Sequence, residues 1–142
     1  MKKVMSIILF SMVIFTGCYN NEDNYVPDIR VHVFYETIDK PGIKRPDIGA
    51  KVFYYYKICI EDSAGYTYKG EGLFMKNNFP MIKPDEEYTI GENGSIFFIP
   101  KYMDESASIA IESKYYEKEI AFTYFSSTKN GAGFYKIFKP TK

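Results

Sequence analysis

Tryptophan is absent, histidine occurs once and cysteine twice in these 142 residues. With His32 as the sole imidazole, a nucleophilic triad or a transition-metal site would have to be built around that one residue. It sits in an alternating stretch beside Arg30 and Phe34, where an ordinary half-exposed strand residue is expected. No Cys/His group has zinc-ligand spacing, and no glycine-rich loop stands between a strand and a helix to hold phosphate. Charge of one sign is missing too. Lys and Arg number 18 against 18 Asp and Glu, which removes the electrostatic case for nucleic acid or an anionic membrane surface. Carboxylates do cluster at Glu61-Asp62, Asp85-Glu86-Glu87 and Asp104-Glu105. Each cluster falls at a strand end or loop, where solvated charge is the default. The sequence therefore leads us to expect no enzyme, no metal and no cofactor.

Aromatic residues are abundant instead, with 14 Tyr and 12 Phe. Their rings favour the pleated surface of a strand, and few segments show the 3.6-residue apolar spacing of an amphipathic helix. Ile29, Val31, Val33 and Tyr35 alternate with Arg30, His32 and Phe34, the pattern of a half-buried strand. Turn chemistry at Lys40-Pro41-Gly42 and Arg45-Pro46-Asp47 makes 37–48 a loop. From Ala50 to Ile60 both alternating faces are apolar, which predicts a long central strand covered on each side. Cys59 lies within it as a small buried hydrophobe. Asp62-Ser63-Ala64-Gly65 turns the chain into Tyr66 to Met75, read as its hairpin partner with a bulge at Gly70 and Gly72. Gly91-Glu92-Asn93-Gly94 predicts a second hairpin, joining Glu86–Ile90 to Ser95–Ile99. Strands over 107–112, 118–125 and 134–138 complete about seven to eight. The fold class is all-β, a single sandwich.

The first 18 residues have another logic. Lys2 and Lys3 precede an apolar run from Val4 to Phe15, and Thr16-Gly17-Cys18 closes it with small residues before a cysteine. At 12 residues the run is short of the roughly 20 that a membrane-spanning helix needs, and it has the layout of a secretory signal. The cysteine makes it resemble a bacterial lipoprotein signal, in which Cys18 is lipidated and becomes the first mature residue. Phe15 stands where that pattern usually has Leu. The resemblance implies a signal peptide over 1–17, removal of two cations and a slightly acidic mature chain. It also implies membrane attachment through lipid on Cys18, with Cys59 then the single free thiol. Residues 18–28 are polar and acidic, too poor in apolar surface to order themselves, and are expected as a tether. Glu22 and Asp23 resemble the acidic surface-export signal of lipoproteins from Bacteroidetes-like bacteria, which implies the outer membrane. The folded domain is expected over 29–142.

Within it, Gly49-Ala50-Lys51-Val52-Phe53, Asn93-Gly94-Ser95-Ile96-Phe97 and Ser108-Ile109-Ala110-Ile111 before Tyr115-Tyr116 resemble the transthyretin-like, carboxypeptidase-regulatory type of β-sandwich. That family implies a binding or accessory module with no catalytic residues to carry over. The expected function is a lipid-anchored envelope module for a protein or glycan partner. The alternative is a structural subunit of a surface assembly such as a pilus, extended by strand addition. A binding surface, if aromatic, is expected on the outer side of the long strand. Its residues would be Phe53 and Tyr55, with Tyr66 and Tyr68 beside them.

Overall fold

A computed structural model describes residues 27–60, 65–103, 105–117 and 119–141. The expected signal peptide and Cys18 lie outside them, as does the expected tether except for Pro27 and Asp28. The domain is an all-β sandwich, with no helix among the described residues.

The first sheet is built on β1 (Ile29–Thr37). One edge of β1 pairs with β10 (Ala132–Phe138) in parallel, Ile29 opposite Ala132 and Tyr35 opposite Phe138. Its other edge is divided between two antiparallel partners. β7 (Ser95–Phe98) takes Ile29 to His32 and β2 (Lys40–Pro46) takes Phe34 to Thr37. Val33 marks the division. Its N–H donates to the Gly94 carbonyl at 2.8 Å, and its carbonyl accepts from the Asp47 N–H at 3.1 Å. The second sheet has the order β6 (Glu86–Thr89), β3 (Lys51–Tyr56), β8 (Ala107–Glu112), β9 (Ile120–Phe125).

Facing side chains of the two sheets form the main core. Ile29, Val31 and Val33 of β1, with Phe98 and Phe138, meet Val52, Tyr54, Ile109 and Ile111 from the second sheet. Each large apolar side chain buried here contributes about 1.5–3 kcal/mol. The opposite face of the second sheet is buried as well. Phe53 and Tyr55 of β3 and Ala110 of β8 lie under Ile60, Phe74, Tyr66, Tyr68 and Ile82. The cover includes a short ribbon of β4 (Thr67–Tyr68) and β5 (Phe74–Met75). The double burial read from the sequence of β3 is present.

Several expectations are corrected. Ten strands are present among the described residues rather than seven or eight. The loop expected over 37–48 contains β2, which tolerates Pro41 and Pro46 because it is an edge strand paired on one side only. The long strand ends at Tyr56, since Lys57 takes a positive φ of 57° and donates its N–H to Ser106. Tyr66 to Met75 does not pair with β3. Gly70 and Leu73 instead close a turn that folds β4 onto β5. The Asn-Gly turn is real but joins two sheets. Its Gly94 N–H bonds Gly91, yet β6 pairs with β3 and β7 with β1. Gly94 is required there, because at φ +74° a Cβ would lie 2.9 Å from Phe34 and from Pro46.

One buried carboxylate ties the sheets together at this end. Asp47, following β2, is 1% exposed. Its Oδ2 accepts from the Ser113 hydroxyl at 2.5 Å, and Oδ1 accepts from the Lys114 and Tyr115 N–H groups at 3.2 and 3.0 Å. Ser113 Oγ in turn accepts from the Tyr116 N–H at 2.8 Å, and the Tyr116 hydroxyl donates back to the Glu36 carbonyl at 2.6 Å. Tyr35 and Tyr115 stack with centroids 3.9 Å apart over the same corner. Asp47→Ala removes the acceptor of three donors at a buried site, so it should cost about 2–4 kcal/mol in urea unfolding. A loss below about 0.5 kcal/mol, the range of ordinary surface substitutions, would show that the corner does not depend on the carboxylate.

Candidate functional site

The four aromatic residues expected at a binding surface do come together, but as core. Phe53 is 1% exposed and Tyr55 is fully buried. Tyr66 and Tyr68 are half-buried in the cover above them. The expectation of an exposed strip at Phe53 and Tyr55 is therefore wrong. Alternation placed the two side chains on one face correctly, but only the folding of Ile60, Tyr66, Tyr68, Phe74 and Ile82 over that face decides its exposure. The cover is also hydrogen-bonded down. The Tyr55 hydroxyl donates to the Gly72 carbonyl at 2.6 Å, and the Gly72 N–H donates to the Tyr68 oxygen at 3.0 Å. The Tyr68 hydroxyl donates to the Glu112 carboxylate, which also accepts from the Glu71 N–H. A Cβ at Gly72 would lie 2.7 Å from the Phe53 ring, so the turn can approach this closely only with glycine.

A shallow cleft of about 420 Å³ borders this cover and is lined by Lys51, Glu71, Glu87, Glu112 and Lys114. Much of its polar chemistry is used internally. Lys51 Nζ pairs with Glu87 Oε1 at 2.5 Å, and Glu112 is held by Tyr68 and Glu71.

The outer face of the first sheet is different, because no strand among the described residues covers it. Across β7, β1 and β10 the register sets side chains in rows. Phe97 stands opposite Arg30, which stands opposite Gly133; Ser95, His32 and Tyr135 form the next row. Phe34 and Ile137 make the third. Phe97 is 76% exposed and Tyr135 51%. The Tyr135 ring lies 5.6 Å from Phe34 and 6.2 Å from His32, centroid to centroid. Lys44 Nζ sits 5.4 Å from its centre, a cation–π distance. His32 Nδ1 and Ser95 Oγ share a hydrogen bond of 2.7 Å, and Arg30 Nε pairs with Asp28 at 2.9 Å. A depression of about 310 Å³ runs between Arg30, His32, Ser95 and Phe97.

No protein-family model matches this chain, and no curated protein matches it. The chemistry of the surface must therefore speak for itself. Flat rings with polar groups set among them suit contact with an extended ligand. His32 and Ser95 are not joined to a carboxylate among the described hydrogen bonds, and no group of three or more Asp, Glu, His or Cys is placed to hold a metal among the described residues. Sequence reasoning assigned Arg30, His32 and Phe34 to a common face, but did not select Phe97 or Tyr135. The available signal was the polar face of β1, since whatever pairs beside it must present its own side chains there.

Burial raises the Tyr55 hydroxyl far above its ordinary range, and raises Tyr68 and Tyr88 in the same direction. A folded-state pKa above the unfolded value near 10 favours the neutral fold. That stability is complete below about pH 10 and is lost as pH climbs toward the folded-state values. In a spectrophotometric titration these tyrosines should ionise only in step with loss of the near-ultraviolet circular dichroism. Ionisation of every tyrosine near pH 10 with the fold intact would contradict the burial of the cover.

Proposed function

We propose that the chain is a lipid-anchored, non-enzymatic module of the cell envelope that binds a glycan or protein across the outer face of its first sheet. The observation that carries this reading is the exposure of Phe97 and Tyr135 on either side of the Arg30–His32 ridge. A ring left largely in water contributes little to folding, whereas a ring flanked by hydrogen-bonding groups is the usual anchor of a contact surface. Phe97→Ala and Tyr135→Ala should leave melting almost unchanged and weaken ligand retention about tenfold. Crosslinking on intact cells reads a protein partner, and retention on an immobilised glycan panel reads a saccharide. Undiminished retention in both assays would remove this face from the function.

The anchor belongs to the same proposal. The basic, apolar and small-residue order before Cys18 supports acylation there, and acyl chains contribute about 0.8 kcal/mol per buried methylene. Cys18→Ala should move the chain from the detergent phase to the aqueous phase on Triton X-114 partitioning. If the mutant partitions like wild type, the apolar run rather than lipid holds the membrane.

A further inference from the structure

We infer that the open edge of β10 pairs with the same edge of a second copy, in an antiparallel register centred on Tyr135. The Ala132 N–H donates to the Asp28 carbonyl at 3.0 Å on the β1 side. In a parallel ladder alternate residues address the same neighbour, so Ala132, Phe134, Lys136 and Phe138 face β1. The backbone groups of Gly133, Tyr135 and Ile137 then point to the other edge, where no described strand pairs. Unpaired edges of this kind template another strand unless they are blunted. The other seven-residue edge strand, β2, is blunted by Pro41, Pro46 and an irregular register between Tyr35 and Thr37, and it carries Lys40, Lys44 and Arg45. In the second sheet β6 has four residues and carries Glu86 and Glu87. The other edge of that sheet, β9, has six residues and no proline, so β10 is set apart from it by its length and by a sequence complementary to itself. β10 contains no proline and no register break over seven residues.

The sequence of β10 is complementary to itself in this register. Tyr135 meets the partner's Tyr135, and Gly133 meets the partner's Ile137. The space where a Gly133 side chain would stand is empty within 4 Å, so an isoleucine opposite it has room. Lys136 falls opposite the partner's Phe134 and Lys139 opposite the partner's Gly131, so no lysine faces a lysine. Lys136 already reaches an aromatic ring within its own chain, with Nζ 5.1 Å from the Phe138 centroid. Reciprocal pairing at three positions exchanges about six backbone hydrogen bonds. The interface maps onto itself and closes after two copies, so it yields a dimer and not a filament. It also joins the two exposed faces into one surface with both Tyr135 rings at its centre.

The test is disulfide trapping of the full chain in membranes, in a Cys59→Ser background. A hydrogen-bonded antiparallel pair has its Cα atoms about 5.5 Å apart, inside the range of about 4.4–6.8 Å that a disulfide spans. Tyr135→Cys should be trapped mostly as a dimer on mild oxidation, above any band given by the background chain. Gly133→Cys alone should stay at background level, and mixing it with Ile137→Cys should restore the dimer. Ile137→Pro, which deletes an N–H on the open edge only, should give a monomer in detergent sedimentation while retaining its melting transition. The inference is overturned if folded Tyr135→Cys is not trapped, if Gly133→Cys alone is trapped equally, or if Ile137→Pro stays dimeric. Trapping to a chain of different mass would likewise overturn it, by assigning the edge to another partner.

Discussion

The structure depends on the apolar character of both faces of β3. Val52 and Tyr54 can be buried only by the first sheet, and Phe53 and Tyr55 only by something on the opposite side. That second requirement forces 65–84 to fold over the outer face, although the described residues there form just two strands of two residues. Such short strands have little stability of their own. They are held by ring contacts to β3 and by the grip of Tyr55 and Tyr68 on Gly72. The first sheet has no matching requirement, because β1 is apolar on one face only. Its polar side therefore stays open, and the proposed contact surface follows from this asymmetry of burial.

Local alternation made the architecture legible wherever both neighbours of a strand were implied by its own pattern. β1, β3 and β8 were readable for this reason, and so was the covering of β3 on both sides. Pairing was less legible. Gly91 to Gly94 has the chemistry of a hairpin turn, but a turn signal specifies local backbone and not the strand that each arm will join. The requirement that Val33 bond to Gly94 is set by β1, some sixty residues earlier in the chain. β2 was hidden by its prolines, which are punctuation in a central strand and harmless at an edge.

The same limit explains why the exposed surface was sought in the wrong place. Phe53 and Tyr55 have the composition of a contact surface, and nothing within β3 distinguishes a covered ring from a bare one. Phe97 and Tyr135 come from strands that flank β1 only after folding, and β10 reaches β1 across nearly the whole domain. Their rows exist through non-local register, which a single sequence does not encode in any one window. His32 was legible in part. Its place on a half-exposed face was readable, whereas its bond to Ser95 required the β1–β7 pairing.

Openness of face and openness of edge coincide in β10, and the coincidence has a geometric cause. In a strand, residues that address one neighbour alternate with residues that address the other, and their side chains alternate between faces in the same rhythm. Because Ala132, Phe134 and Phe138 are committed both to β1 and to the core, Gly133, Tyr135 and Ile137 are left with outward backbone and outward side chains together. A contact along this edge therefore extends the exposed face, and a ligand on the face lies next to the edge. Pairing would double the aromatic surface without adding a residue to the chain. A repetitive ligand could then engage two copies at once, with effective concentration rather than new contacts supplying the gain in affinity.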